Sequence, residues 1–166
     1  MIIIGYQGIG KSTLTRRVKG YIDLESSCFW YNGLRPQDWY IYYCQIAEDL
    51  SRQGYDVFVS SHEPVRKFLR NSKEKVIVIY PSLSLKDKWI EKLRIRYDND
   101  PSEKNHKALL NAEDRYEDNI KELMDSGFDY GEITEMDYDL DVFIHNLMYM
   151  METKSRKPFT VRVGEE

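Results

Sequence analysis

Apolar residues recur along this chain in two alternating rhythms. Short unbroken runs, Ile2-Ile3-Ile4, Val57-Phe58-Val59 and Val76-Ile77-Val78-Ile79-Tyr80, have the length and β-branched character of strands buried on both faces. Between them, apolar residues return at three- and four-residue spacings, the period of a helix lying on a sheet. The pattern predicts a strand over 1–4, a helix over 11–19 stopped by Gly20, and a strand over 21–24. Pro36 then opens a helix with Trp39, Tyr43, Ile46 and Leu50 on one face, closed by Gly54. A strand over 57–59, a short helix over 64–70 and a strand over 76–80 ending at Pro81 follow. Two charged helices, 85–97 and 102–124, are parted by Asp98-Asn99-Asp100-Pro101, and Gly127 ends the second. A strand over 129–133 and a helix over 140–151, offering Val142, Phe143, Leu147 and Met150 to the sheet, complete the alternation. Residues 159–163 are a further candidate for an edge strand.

Strand and helix in alternation imply an α/β fold with a mainly parallel, five-stranded sheet. At 166 residues, with no repeat and no linker, residues 1–166 read as one domain. A net charge of −4 argues against a protein that grips duplex nucleic acid, which needs a basic field. The longest apolar runs are only a few residues, too short to cross a membrane, and the chain opens on its first strand, so a cytoplasmic location is expected. Cys28 and Cys44 have neither metal nor redox spacing and are expected as reduced thiols.

The first loop carries the chemistry. Gly5-Tyr6-Gln7-Gly8-Ile9-Gly10-Lys11-Ser12, followed by Thr13, is G-x-x-x-x-G-K-S set after a strand-like run and before a helix-like one. Phosphate oxygens need a ring of backbone N–H donors, which a tight curl of glycines free to take positive φ supplies. The helix behind adds its positive end. Gly5, Gly8, Ile9, Gly10, Lys11, Ser12 and Thr13 are the expected nucleotide-binding set, with Lys11 on the β- and γ-phosphates and Ser12 offering a hydroxyl to a metal. ATP and Mg2+ are the cofactors implied.

In the second half of the chain, Tyr80-Pro81-Ser82-Leu83 is followed by Trp89-Ile90-Glu91-Lys92-Leu93-Arg94-Ile95-Arg96, then Leu109-Leu110-Asn111-Ala112, then Phe128-Asp129-Tyr130. With the first loop, that succession resembles the small P-loop kinases of nucleotides and related metabolites, guanylate kinases in particular. There, a strand ends in P-S-L, a lid carries arginines, a helix carries R-L-x-N-A, and a last strand opens Y-D-Y. The resemblance implies a P-loop NTPase three-layer α/β/α sandwich, with a small helical lid over about 82–101 and a short acceptor-binding insert over about 26–53. It also places the lid cations at Lys92, Arg94 and Arg96. On a helix Lys92 and Arg96 share a face and Arg94 does not, so Arg96 is expected at the transferring phosphoryl group with Lys92 beside it. The alternative is that Lys86, Lys88, Lys92, Arg94 and Arg96 form the solvated face of an ordinary helix.

Asp23 ends the second predicted strand, and in a parallel sheet that end borders the ligand crevice. The string Tyr21-Ile22-Asp23-Leu24-Glu25 also resembles the I-D-x-D/E of shikimate and related small-molecule kinases, which implies Asp23 as metal holder or as base toward a hydroxyl. The alternative is an aspartate that caps a turn. The chain departs from guanylate kinases in two places. The segment 26–37 is short and aromatic where they carry an acceptor subdomain, and Ser60-Ser61-His62 stands where many P-loop enzymes carry a metal-holding acid. Arg66, Glu25 and Trp30 are the acceptor-binding candidates: a guanidinium pairs with phosphate bidentately, and an indole stacks on a base. The expected function is an ATP- and Mg-dependent phosphotransferase acting on a nucleoside or deoxynucleoside monophosphate. A kinase of a hydroxyl acceptor (a nucleoside, a polynucleotide 5′ end or a small metabolite) and an ATP-binding switch or ATPase subunit are the alternatives. An aromatic content of 13% leaves a homodimer interface open.

Overall fold

In a computed structural model, residues 1–155 are described. The elements are β1 (Ile2–Gly5), α1 (Lys11–Arg17), β2 (Tyr21–Asp23), α2 (Trp39–Arg52), β3 (Asp56–Val59), α3 (Glu63–Leu69), β4 (Val76–Pro81), α4 (Lys86–Asn99), α5 (Glu103–Met124), β5 (Asp129–Ile133) and α6 (Leu140–Ser155). The five strands form one parallel sheet in the order β2-β3-β1-β4-β5, with helices on both sides. Ile2, Ile3, Ile4, Phe58, Ile77 and Ile79 have no accessible surface, which is why their runs are unbroken rather than alternating. The expected edge strand at 159–163 lies outside the described residues.

Two helical faces differ from the expected ones. On α2 the buried residues are Trp39, Tyr43, Cys44, Ala47 and Ser51, a stripe centred beyond Ile46, which is exposed. On α6 the stripe is Leu140, Ile144 and Leu147, and Val142 and Met150 are exposed. Val142 lies two residues from Leu140 and so faces nearly the opposite way. What fixes the seat of α6 is Gly131 on β5: a Cβ there would meet Phe143 at 2.7 Å and Leu147 at 2.8 Å, so the helix sits directly on the bare backbone.

Between β2 and α2 the chain makes a short 3-10 turn, Ser26–Phe29, and then a two-residue hairpin turn. The amides of Tyr31 and Leu34 each donate to the other's carbonyl, and Asn32 (φ 48°) and Gly33 (φ 74°) take the left-handed conformations such a turn demands. Cys28 in the 3-10 turn is exposed, whereas Cys44 is buried in α2 and its thiol pKa is pushed up to about 12, burial being the main cause. α4, which occupies the segment expected as a lid, packs against α5, and α5 lies on β4.

Candidate active site

The G-x-x-x-x-G-K-S segment leaves β1 at the middle of the sheet and curls back into α1. Gly8 (φ 84°) and Gly10 (φ 102°) supply the left-handed turns of the curl, and a Cβ on Gly8 would meet Leu93 at 3.0 Å and Trp89 at 3.1 Å. Every second carbonyl along the curl is held from outside. Lys11 Nζ donates to Gly5 O at 3.3 Å, Trp89 Nε1 to Gln7 O at 3.0 Å, and Tyr138 Oη to Ile9 O at 2.8 Å. Gln7 is tied further, its side-chain amide donating to Ala108 O at 2.9 Å and to Asn111 Oδ1 at 3.3 Å on α5. With those carbonyls occupied, the amides of the curl and the first turn of α1 are the groups an anion would meet.

Asp23 ends β2 opposite this loop, and its carboxylate lies in the field of Lys11, with the Ser12 side chain close enough to favour its charged form. Burial pushes the Asp23 pKa above the usual carboxylate range, only partly opposed by Lys11, and Glu25 nearby pushes it the same way. Burial lowers the Lys11 pKa, with Asp23 and Glu25 opposing and Lys104 and Arg96 adding to the effect. Tyr43 fixes the distance between the ends of β2 and β3: its hydroxyl donates to Leu24 O at 2.6 Å and accepts from the Ser60 amide at 2.8 Å. A hydroxyl and a carboxylate oxygen are hard donors of the kind Mg2+ takes. Among the described residues no group of three or more His, Cys, Asp or Glu gathers to hold a metal.

On α4 the cations separate by face. Arg94 is bound outward to Glu91 at 2.6 Å and Glu113 at 3.0 Å. Arg96, half-buried, acts on both Lys11 and Lys92. Lys92 has its ammonium 4.4 Å from the Trp89 ring centre and 5.3 Å from that of Tyr138, and its pKa is lowered by burial and then by Arg96. Trp89 and Leu93 anchor α4 against Gly8, so the expected lid segment is packed on the loop it was expected to cover. Beyond Lys92, a cavity of about 520 Å³ lies between α4 and the loop after β5, lined by Asp87, Lys88, Glu91, Lys92, Ile95 and Met136.

On the other side of Asp23 stand the acceptor candidates. Glu25 pairs with Lys104 at the start of α5. Trp30 is half-exposed, with the Arg35 guanidinium carbon 5.6 Å and Lys107 Nζ 5.8 Å from its ring centre. Arg66 is buried, its Nη1 donating to Ser61 O at 2.7 Å and its Nη2 to Glu122 at 2.9 Å, so its guanidinium ties the exit of β3 to α5. His62 accepts from or donates to Ser60 Oγ at 2.8 Å, and burial with the charges of Arg35, Lys11 and Arg66 lowers its pKa. The structure thus brings Lys11, Ser12, Asp23, Glu25 and Arg96 together, sets Lys92 and Trp30 on either flank, and engages Arg66 elsewhere.

Sequence reasoning missed Trp89, Tyr138, Gln7, Tyr43 and Arg35. Tyr138 was accessible by rule, since loops after parallel strands border the crevice. Arg35, interleaved with Trp30 and Trp39, carried the signature of a cation stacked on aromatic rings.

The sheet order, the glycine loop between β1 and α1 and the flanking helices define a P-loop kinase-like α/β fold. No family model matches the chain, and no curated protein matches its sequence. Among solved structures it is similar to a tunicamycin resistance protein of Deinococcus radiodurans, at 16% identity and a TM-score of 0.53, over 90% of this chain and 94% of that one. A shikimate kinase from Bacteroides thetaiotaomicron aligns at 13% identity and a TM-score of 0.46, over 91% of this chain and 97% of that one. At such identities the likeness is one of fold.

Proposed function

We propose that this chain is a P-loop phosphotransferase that moves the γ-phosphoryl group of a magnesium-bound nucleoside triphosphate, ATP by expectation, to a small acceptor. The observation that carries the reading is the glycine loop, curled by Gly8 and Gly10 with its carbonyls held by Lys11, Trp89 and Tyr138, and with Asp23 in the field of its lysine. Lys11 and Arg96, on two sides of the crevice, offset the charge that develops on the transferring group. Bound Mg2+ would neutralise the donor's phosphates, held through Ser12 and, directly or by water, Asp23. The cavity between α4 and the loop after β5 adjoins Lys92 and suits the donor's base, with Ile95 and Met136 as apolar walls and Asp87 and Glu91 as acceptors at its rim.

A hydroxyl is the acceptor that the geometry supports best. Asp23 is a half-buried carboxylate with a raised pKa in the field of Lys11, suited to take a proton from an attacking hydroxyl. The same carboxylate would repel a dianionic phosphate. The second reading, a nucleoside monophosphate, is favoured by the half-exposed ring of Trp30, on which a base would stack. Transfer from labelled ATP to nucleotides, nucleosides, 5′-hydroxyl oligonucleotides and small hydroxyl compounds decides between them. Lys11→Ala should cost at least about a hundredfold in rate without loss of fold. Undiminished transfer in that variant, with folding verified by circular dichroism, overturns the assignment.

A further inference from the structure

Arg35 is a cation with no counter-charge among the described residues. Its guanidinium carbon lies 3.3 Å from the ring centre of Trp39 and 5.6 Å from that of Trp30, so stacking fixes its plane. Nη2 donates to Ser26 O at 3.0 Å, while Nε is buried with no hydrogen-bond partner among the described residues. No carboxylate pairs with it there, whereas Arg66, Arg94, Lys104 and Lys107 each have one. Ser26, whose carbonyl Arg35 holds, follows Asp23 at the exit of β2, and Trp39, which carries Arg35, packs edge-on against His62 at 5.6 Å past the end of β3, so Arg35 stands at the end of the sheet where Asp23 lies. Orienting a guanidinium on an indole and withholding its carboxylate leaves donors preset for a ligand's oxygens.

We infer that the acceptor is itself an anion, a compound bearing a carboxylate or phosphate group besides the atom that receives the phosphoryl group, and that Arg35 on Trp39 is the residue that selects it. This rests on the reading of the crevice beside Asp23 as the acceptor site. The anionic group docks on Arg35, with Lys107 over Trp30 as the next cation along the wall. The reactive end then reaches Asp23 and the donor. No bond to Arg35 forms or breaks in the transfer, so Arg35 acts on binding and orientation only.

The test pairs acceptors that differ in one charge, a hydroxy acid with its amide and a sugar phosphate with the free sugar, in transfer from labelled ATP. The charged member of a productive pair should be preferred by at least about tenfold in kcat/KM, the scale of a charge-assisted hydrogen bond. Arg35→Met should erase that preference through KM, with kcat little changed, and Arg35→Lys should restore part of it. Equal use of both members, or a loss in Arg35→Met confined to kcat, overturns the assignment. If none of these compounds accepts phosphate, the proposed function has failed, and a second measurement reads Arg35 alone. Inorganic phosphate is titrated against tryptophan emission, with Mg2+ and a non-hydrolysable ATP analogue at saturation to fill any loop site. A saturable change at least about tenfold weaker in Arg35→Met supports the anion site. An unchanged titration in that variant, its fold checked by thermal melting, overturns it.

Discussion

Asp23 lies between a cation and the interior, and its two roles leave different marks on pH dependence. Burial raises its pKa, so as pH falls the carboxylate is protonated earlier than an exposed aspartate. If it takes the proton of a hydroxyl acceptor, the rate should rise with pH through an inflection above the usual carboxylate range, and Asp23→Asn should remove both the inflection and most of the rate. With a phosphate acceptor the loss should be milder and partly recovered by raised magnesium. Stability follows the opposite sense. A raised folded-state pKa makes ionisation costly, a cost absent below the unfolded pKa and complete above the folded one. Asp23→Asn should therefore raise the melting temperature at neutral pH and leave it unchanged in acid. A pH–rate profile identical to the wild type would reduce Asp23 to a turn residue.

α4 shows how far an element can be read from spacing. The i, i+2, i+4 arrangement of Lys92, Arg94 and Arg96 fixes relative faces once the segment is a helix, and the structure puts Arg94 against Glu91 and Glu113 and Arg96 within the electrostatic reach of Lys11. Arg96→Ala should lower kcat far more than it weakens ATP binding, and Arg94→Ala should cost much less. Equal, small effects at the two positions in steady-state kinetics would make this run a solvated face. Spacing could not tell which side of a helix meets the sheet when apolar residues surround it. On α2 a small residue, Ala47, permits the close approach and Ile46 turns outward. On α6 the deciding neighbour is Gly131, a residue from another strand.

For the whole molecule, five parallel strands were legible, since each run is bounded by turn residues, but their order was not. Strands buried on both faces carry equivalent apolar runs, and nothing in such a run names its neighbour. The phosphate loop was legible because its donors and its lysine are contiguous in sequence. The opposite wall was not, because Trp39 with its Arg35 meets His62, and Glu25 meets Lys104, only in the fold. Nor did the net charge of −4 announce that Arg96 would lie within the electrostatic reach of both Lys11 and Lys92. Their local field should draw anionic ligands in, more weakly as salt rises.

The contrast between the two thiols gives the molecule a built-in labelling point. Cys28 is exposed in the turn between Glu25 and Trp30, while Cys44 is buried in α2 with its thiolate suppressed. A maleimide dye added to the folded protein should attach once per chain, at Cys28, and twice only after unfolding, as intact-mass measurement would read. The single dye then sits beside the wall that Arg35 and Trp39 build, and its emission would follow that segment as ligands arrive, with no engineered cysteine.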